Sequence, residues 1–594
     1  MSLNAALSVA SGSLQAIQTQ LAVASSNVSN ADVEGYSRKT VTKTSLATAG
    51  AGTGVAVTSI TSSVDPWLLK SIYSATATSS ASATLSDYLQ ELGDSLGALS
   101  SDSGVSGNNL SAQLTSLTSS LTELASTPTN ETLKSSVVSQ ADQLATSLRN
   151  SSATIQRLRE EADSAIDQGV ETVNSDLEAI QTLNQSILRA TVSGGSTADL
   201  EDQRADKIAD LSSQIGVTTF SKNDGTVAVY TNSGLALLDG TVETLSFAST
   251  GAVSADTTYS GGTLSGVILG AIQEKDGDPV ADTGTDITSK ITGGALSSLI
   301  KLRDTTLPAL QDKLDSLALS LQSTFNTAHN AGTGSTQPNS LNGTVSGLSG
   351  ASMTATGTLT VAVTDGAGTT VAASTFDLST YHTVDELVTA IAGDTALGGS
   401  VSANLDATTG ELTLSAANSS YGLALSGGAV TQVGSTSYSS DGVSLSAAFG
   451  LNDFLIGTGA DDITVRSDLL ASPSLLATKT LSSSSSALAA GGTVVVESDS
   501  QVQGIADALD TSGVALKAAN LVSQVSTDLT AAKATASADE TSLTTLTSSF
   551  SSKYGVNVDE ETATIQSLSQ SYAASAQVVS TVKSMFESLL EAVR

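Results

Sequence analysis

Side chains able to titrate near neutrality are scarce in this chain. Its 594 residues include two histidines, His329 and His382, and no cysteine. Thiol catalysis, disulfides and Cys-ligated metal are thereby excluded. The histidines lie far from each other in sequence and from any nucleophile motif, which predicts structural roles for both. Carboxylates are plentiful, yet no paired-carboxylate, phosphate-loop or metal-ligand spacing stands out; carboxylate pairs assembled only by folding stay open. The segment GTGADDITV, from Gly457, resembles one degenerate repeat of the calcium-binding β-roll, in which Gly and Asp at fixed steps converge on a shared ion. A single copy has no neighbour to stack on, so no metal site is expected. Asp202-Gln203-Arg204 and Arg303-Asp304 carry adjacent opposite charges and are read as structural ion pairs or helix-surface charges. No catalytic, cofactor-binding or metal-binding residue is assigned, and an enzyme is the weakest reading.

Composition points the same way. With 58 acidic against 24 basic residues the net charge is -34, and no basic patch is dense enough to hold a phosphate backbone. Neither nucleic acid nor an anionic membrane is an expected partner, and no apolar stretch reaches the roughly 18 to 20 residues of a membrane span. The N-terminal MSLNAALSVASGSLQAIQTQL lacks the positive n-region and unbroken apolar run of a secretory signal. Richness in Ser, Thr, Ala and Gly with few Lys and Arg is nevertheless typical of exported bacterial surface proteins.

The elements that must position these residues start at the two ends. Leu3, Leu7, Ala10, Leu14, Ile17, Leu21, Ala24 and Val28 alternate four and three apart, and Ile565, Leu568, Tyr572, Ser575, Val579, Val582, Phe586, Leu589 and Val593 repeat the pattern. Such a narrow stripe is the width of a seam between helices rather than of a globular core. The termini are expected to pair with each other or with neighbouring copies, a design for polymerising; an intramolecular coiled coil with no assembly role is the plainer alternative. Leu85, Leu89, Leu92, Leu96 and Leu99, then Leu114, Leu117, Leu121 and Leu124, then Val170, Val173, Leu177, Ile180, Leu183, Ile187 and Leu188 predict several long helices between about 73 and 215, with Thr127-Pro128 at a boundary.

Near Gly216 the period changes to two, with Asp224-Gly225 as a hairpin signal. Helix returns from Leu296 to about Phe325. A second strand-rich stretch runs from about 332 to 468, and helix resumes from about Ile505 with a break near Tyr554-Gly555. The expected fold is mixed α and β and multidomain. It comprises a terminal coiled-coil domain (1–40 with 555–594), a helical-bundle rod (41–215 with 290–331 and 480–554), and one or more inserted β-rich outer domains (216–289 with 332–479).

The segment SNVSNADVEGYSRKTV, with Asn27, Asn30, Gly35, Tyr36, Ser37 and Arg38, resembles the N-terminal motif of bacterial flagellar rod, hook and hook-associated proteins. YGVNVDEETATIQSLSQSYAASAQVVSTVKSMFESLLEAV is similar to their C-terminal motif. Two internal segments, around Asp202, Gln203 and Arg204 and around Arg303, Asp304 and Leu307-Pro308, resemble the hook-associated protein 1 family within that group, as does the stretch from Phe449. The family's usual Pro before Gly-Tyr is Glu34 here, so proline does not fix this turn.

The resemblance implies a structural adaptor between flagellar hook and filament, secreted unfolded and assembled at the hook tip. It implies as partners other copies of the chain, the hook protein, the next distal hook-associated protein and an export chaperone on the C-terminal helix, with no cofactor. Another axial subunit, of hook or filament type, shares the end motifs but not both internal segments. A surface-layer protein or adhesin accounts for the composition but not for the terminal heptads.

Overall fold

The structure is a computed structural model and describes residues 3–48, 51–97, 109–270 and 284–593. Leu99 lies outside them, as do the side chains of Leu3 and Val593. The fold is mixed α and β, and contacts divide the chain into two compact units.

The first unit comprises Met1–Tyr88, Leu158–Thr306 and Thr530–Arg594. Its N-terminal helix, Leu3–Ser29, leads through a turn into an antiparallel hairpin, Lys39–Thr48 with Ala51–Ser62. The second of these strands alternates Val55, Val57 and Ile60 with polar neighbours, whereas the first is a Thr-rich run with little apolar contrast. The core of the unit gathers Val173, Leu177 and Ile180 from the long helix Glu131–Ser193 with Ile208 and Leu211 from the helix Ala198–Gln214. Val217, Val229 and Leu237, from the three-stranded sheet Val217–Ser221, Val227–Thr231 and Ala236–Leu238, close it. The expected hairpin forms at Asp224-Gly225, where the Thr226 N–H donates to the Asp224 carboxylate at 3.0 Å and Gly225 has φ +83. Leu188, expected on the buried stripe, is 40% exposed.

The second unit comprises Leu89–Arg157 and Leu307–Leu529. Leu114, Leu117, Leu121 and Leu124 of the helix Leu110–Ser126 are buried, as their spacing predicts. The stretch after residue 332 folds into a four-stranded sheet, ordered Thr370–Asp377, Met353–Thr364, Gly422–Val433, Thr436–Ser437, and a three-stranded one. The short helix Val384–Ala392, started by a capping box between Thr383 and Glu386, covers their shared core with Leu387 and Ile391.

Contacts therefore group the chain differently from the sequence-based division. The strands of 217–269 bury their apolar faces on the helices that precede them, so they fall in one unit and the strands of 340–437 in the other. Within 480–554, assigned to the helical-bundle rod with helix from about Ile505, Val495–Glu497 pairs with Lys479–Leu481 ahead of the helix Asp499–Thr511, consistent with the β-branched run in GGTVVVE.

Candidate functional site: the terminal seam and the motif clamp

Within the first unit the N-terminal helix packs against the C-terminal helix Val558–Val593. Gln18 lies 3.4 Å from the Tyr572 hydroxyl, and Arg38 reaches Glu561, so the two helices run antiparallel. Of the expected stripe, Ala10, Ile17, Ala24 and Val582 are buried, while Leu7, Leu14, Leu21, Val28, Ile565, Leu568, Tyr572, Val579 and Phe586 are half-buried. Leu589 is 60% exposed in the single chain, and next to it Val578, Met585 and Leu590 are also open to solvent. The N-terminal helix has a second contact face that the heptad did not show. Gly12 comes close to the Val55 carbonyl of the hairpin, where a Cβ would sit 3.3 Å away, and Ala16 is buried. The missing side chain at Gly12 is what admits the strand.

The motif residues form the joint between that seam and the rest of the unit. Asn27, 1% exposed, acts as a backbone surrogate: its amide donates to the Lys39 carbonyl at 3.0 Å while its oxygen accepts the Lys39 N–H at 3.0 Å and the Tyr36 hydroxyl at 3.0 Å. Asn30 donates back to the Ser26 carbonyl at 2.9 Å and ends the helix. Gly35 takes φ +78, so the turn forms without the proline that Glu34 replaces. A Cβ at Gly35 would overlap the Asp206 carboxylate.

Asp202 then fastens the turn. It accepts the Ser37 N–H at 2.8 Å and the Ser37 hydroxyl at 2.7 Å, and it pairs with the buried Lys39 ammonium. Arg38 points the other way, its backbone N–H donating to Tyr554 at 2.7 Å and its guanidinium to the buried Glu561 at 2.6 Å. One four-residue stretch, 36–39, thus holds the N-terminal helix, the helix Ala198–Gln214 and the start of the C-terminal helix together.

Asp202 and Arg204, read as a structural ion pair or helix-surface charges, do not pair with each other. Two residues apart on a helix, they point to different faces. Arg204, buried, donates instead to Asn184 at 2.9 Å and to the Gly225 carbonyl at 2.8 Å, holding the hairpin turn, and Gln203 between them is exposed. Arg303 and Asp304 do pair, through two bonds of 2.7 and 2.9 Å, but in the interior rather than on a helix surface. Arg303 also donates to the buried Asp163 at 2.7 Å, and Asp163 accepts the Thr250 N–H at 2.6 Å. A π-helical turn, Leu302–Thr306, sets these side chains inward just before Pro308.

A groove of about 960 Å³ opens beside the clamp, lined among others by Glu34, Tyr73, Asp206, Asp210 and Phe550. Partial burial, and then the Asp202, Asp210 and Glu34 carboxylates, push Asp206 up to about 6. Lys39, Asn184, Asp163 and Glu561 carried no sequence signal of a role, since each acts through a partner at least 12 residues away.

The residues considered for chemistry have structural positions. His329, wholly buried, donates from Nδ1 to the Asn452 carbonyl at 2.7 Å and accepts the Ala477 N–H at Nε2 at 3.0 Å. Burial pulls it down to about 4. His382 is exposed. In GTGADDITV, Asp462 accepts the N–H groups of Thr458 and Gly459 at 2.6 and 2.9 Å, capping a turn. Among the described residues, no group of three or more His, Asp or Glu is placed to hold a metal, and no helix is long and apolar enough to cross a membrane.

Three families match the chain. The helical domain of flagellar hook-associated protein FlgK matches residues 96–344, the flagella basal body rod protein family residues 7–36, and the C-terminal region of the flagellar basal body rod FlgEFG proteins residues 547–592. Flagellar hook-associated protein 1 of Escherichia coli K12 is 24% identical over 329 residues, 54% of this chain and 56% of that one. The Salmonella typhimurium protein of the same name is 25% identical over 328 residues, 54% and 55% of the two chains. The chain thus spans little more than half the length of these curated relatives. A solved structure, the flagellar hook junction protein FlgK from Burkholderia pseudomallei, overlaps 69% of this chain and 66% of its own at 19% identity, with a TM-score of 0.41.

Proposed function

We propose that this chain, which belongs to the flagellar hook-associated protein 1 family, is a structural subunit that joins the flagellar hook to the filament. The observation that carries the reading is the antiparallel pairing of the first and last helices, fastened by Arg38 and Glu561. A subunit whose two ends form one rod can pack that rod against equivalent rods of its neighbours, and the exposed Val578, Met585, Leu589 and Leu590 leave apolar surface for such packing. In this reading Leu3, Leu7, Leu14, Ile17 and Leu21 with Val579, Val582, Phe586 and Leu589 make the assembly seam.

The route to the hook tip is export in an unfolded state, with a chaperone covering the C-terminal helix. A chain without disulfides suits passage through a narrow channel. The partners are other copies of the chain, the hook protein and the next distal hook-associated protein.

The test is to add purified protein to isolated hooks stripped of their distal proteins and to look by electron microscopy for a new distal layer that permits filament growth. Fibres or sheets formed by the chain alone, with hooks left bare, would replace the adaptor with a filament or surface-layer subunit.

A further inference from the structure

The groove of about 960 Å³ beside the clamp lies wholly within the first unit, and its walls come chiefly from the 34–35 turn, the helices Pro66–Ser95 and Ala198–Gln214, and residues 543–551 of the helix Val514–Tyr554. Two of its carboxylates stand without partners. Glu34, which replaces the family's proline, and Asp206 are both open to solvent, and among the described residues neither accepts a hydrogen bond nor forms an ion pair. The other carboxylates are engaged: Asp202 by Ser37 and Lys39, Asp210 by Lys207 at 2.8 Å, and Glu201 by the Thr197 hydroxyl at 2.8 Å. The groove's own cations do not serve the free pair. Arg204 is held by Asn184 and the Gly225 carbonyl, and Lys70 stands over the Trp67 and Phe220 rings at 5.5 and 5.4 Å. The local field is negative: after partial burial, Asp202, Asp210 and Glu34 outweigh Lys207 in raising Asp206 to about 6.

A buried hydroxyl at the same groove is also unpartnered. Tyr73 is 6% exposed, its ring packed in the core with Ile208 and Leu211. It lines the groove close enough to Arg204, Asp206 and Asp202 to feel their charges, yet its hydroxyl makes no hydrogen bond among the described residues. A polar group buried without a partner is costly, and an occupant of the groove would supply one.

Chemistry identifies that occupant. Two carboxylates and a hydroxyl oxygen offer acceptors from three separate segments, which calls for a compact cation with several donors. A metal ion does not fit, since among the described residues no group of three or more His, Asp or Glu is placed to hold one. Ile72, Leu543 and Phe550 add an apolar wall on which methylenes can lie. An ammonium with three donors on a four-carbon stem, the lysine side chain, meets both demands. Two copies of a chain with net charge -34 repel one another, which favours a protein of another kind as its carrier.

We propose that the groove docks a lysine side chain of a neighbouring protein of another kind, its ammonium held by Glu34, Asp206 and the Tyr73 hydroxyl. That a protein carries the lysine rests on the subunit reading above; that the groove takes an alkylammonium does not.

The full chain would first be titrated by calorimetry with acetyl-leucyl-lysine amide and with acetyl-leucyl-norleucine amide, which lacks the ammonium. Only the lysine peptide should bind. Glu34→Gln with Asp206→Asn should weaken it at least tenfold, and Tyr73→Phe severalfold. Asp441→Asn with Asp528→Asn, which removes the same charge from exposed positions of the second unit, should leave binding within twofold. Equal weakening by the two double variants would mean attraction to net charge alone and overturn the site. No binding of the lysine peptide, or no effect of Tyr73→Phe, would overturn it as well.

The carrier is tested on stripped hooks. After the layer forms, a carbodiimide that joins carboxylates to lysine amines is added, and the joined peptides are mapped by mass spectrometry. Links from Glu34 or Asp206 to a lysine of a different protein are expected. A layer in which these carboxylates join only lysines of other copies, or none, would overturn the docking. Peptide binding with no layer on hooks would remove the junction role, and the protein carrier with it, and leave the alkylammonium site standing.

Discussion

The carboxylate of Asp202 accepts the backbone N–H of Ser37 at 2.8 Å across 165 residues of sequence. The same carboxylate neutralises Lys39, whose side chain is 3% exposed and whose next nearest carboxylate, Asp199, is 3.9 Å away. Asp202→Ala should therefore strand a buried cation and cost the first unit about 3 kcal/mol. Chemical denaturation followed by hydrogen exchange would check this: amides of the turn and hairpin should lose protection while those of the 340–437 sheets keep theirs. Uniform loss would mean that the clamp is not local.

Gly35→Ala meets two obstacles, the positive φ and the Asp206 carboxylate. The left-handed backbone alone costs about 1 to 2 kcal/mol. The double variant Gly35→Ala with Asp206→Gly should recover the steric part and keep the backbone part. Full recovery in a double-mutant cycle would show that backbone strain contributes nothing.

Acid should weaken the second unit through His329. Its folded-state value, about 4, lies below the ordinary 6.5, so the unfolded chain takes up a proton that the folded one refuses. Stability is complete above about 6.5 and falls as pH drops towards 4, by up to about 3 kcal/mol. The charged groups that influence it, Arg466 and Asp468, act in opposite directions. Asp206, in the first unit, has the opposite sign: its value is raised, so the stability it confers is present at low pH and lost as pH rises through about 6. Urea midpoints between pH 4.5 and 7.5 with a probe in each unit would separate the two. His329→Gln should flatten only the second unit's slope.

Arg303→Met should be among the most damaging single changes. It leaves Asp163, 1% exposed, and Asp304 without their cation, at a cost of about 3 to 5 kcal/mol. Thermal unfolding would measure it, and Arg303→Met with Asp163→Asn and Asp304→Asn should regain much of the loss. No rescue by the triple variant would point to packing against Phe247 instead, 5.4 Å from the guanidinium.

Replacing Leu14 and Ile17 with Asp places two charges on the proposed assembly seam of the N-terminal helix. The cores around Val173 and Val361 do not use these residues and should stay folded. Incorporation at stripped hook ends should be abolished; incorporation at the parental level would reject the seam.

Helices, their boundaries and the hairpin at Asp224-Gly225 were legible because they depend on neighbours within a turn or two: apolar spacing, a Pro, a Gly at positive φ. So were the two terminal helices, since a heptad repeat is written in one helix. Which stripe meets which was not, because an apolar face does not specify its partner. Nor could spacing reveal that Asp202 serves Ser37 and Lys39 rather than Arg204, that Arg303 faces inward, or that Glu34, Tyr73 and Asp206 line one groove. Those pairings join residues tens to hundreds of positions apart, and their geometry is set only when the helices and sheets around them pack. Sequence alone therefore determined most of the element types and the family resemblance, through local periodicity and motif. Tertiary structure decided the charge partners and the division into two units, because burial and directional hydrogen bonds are properties of packed surfaces.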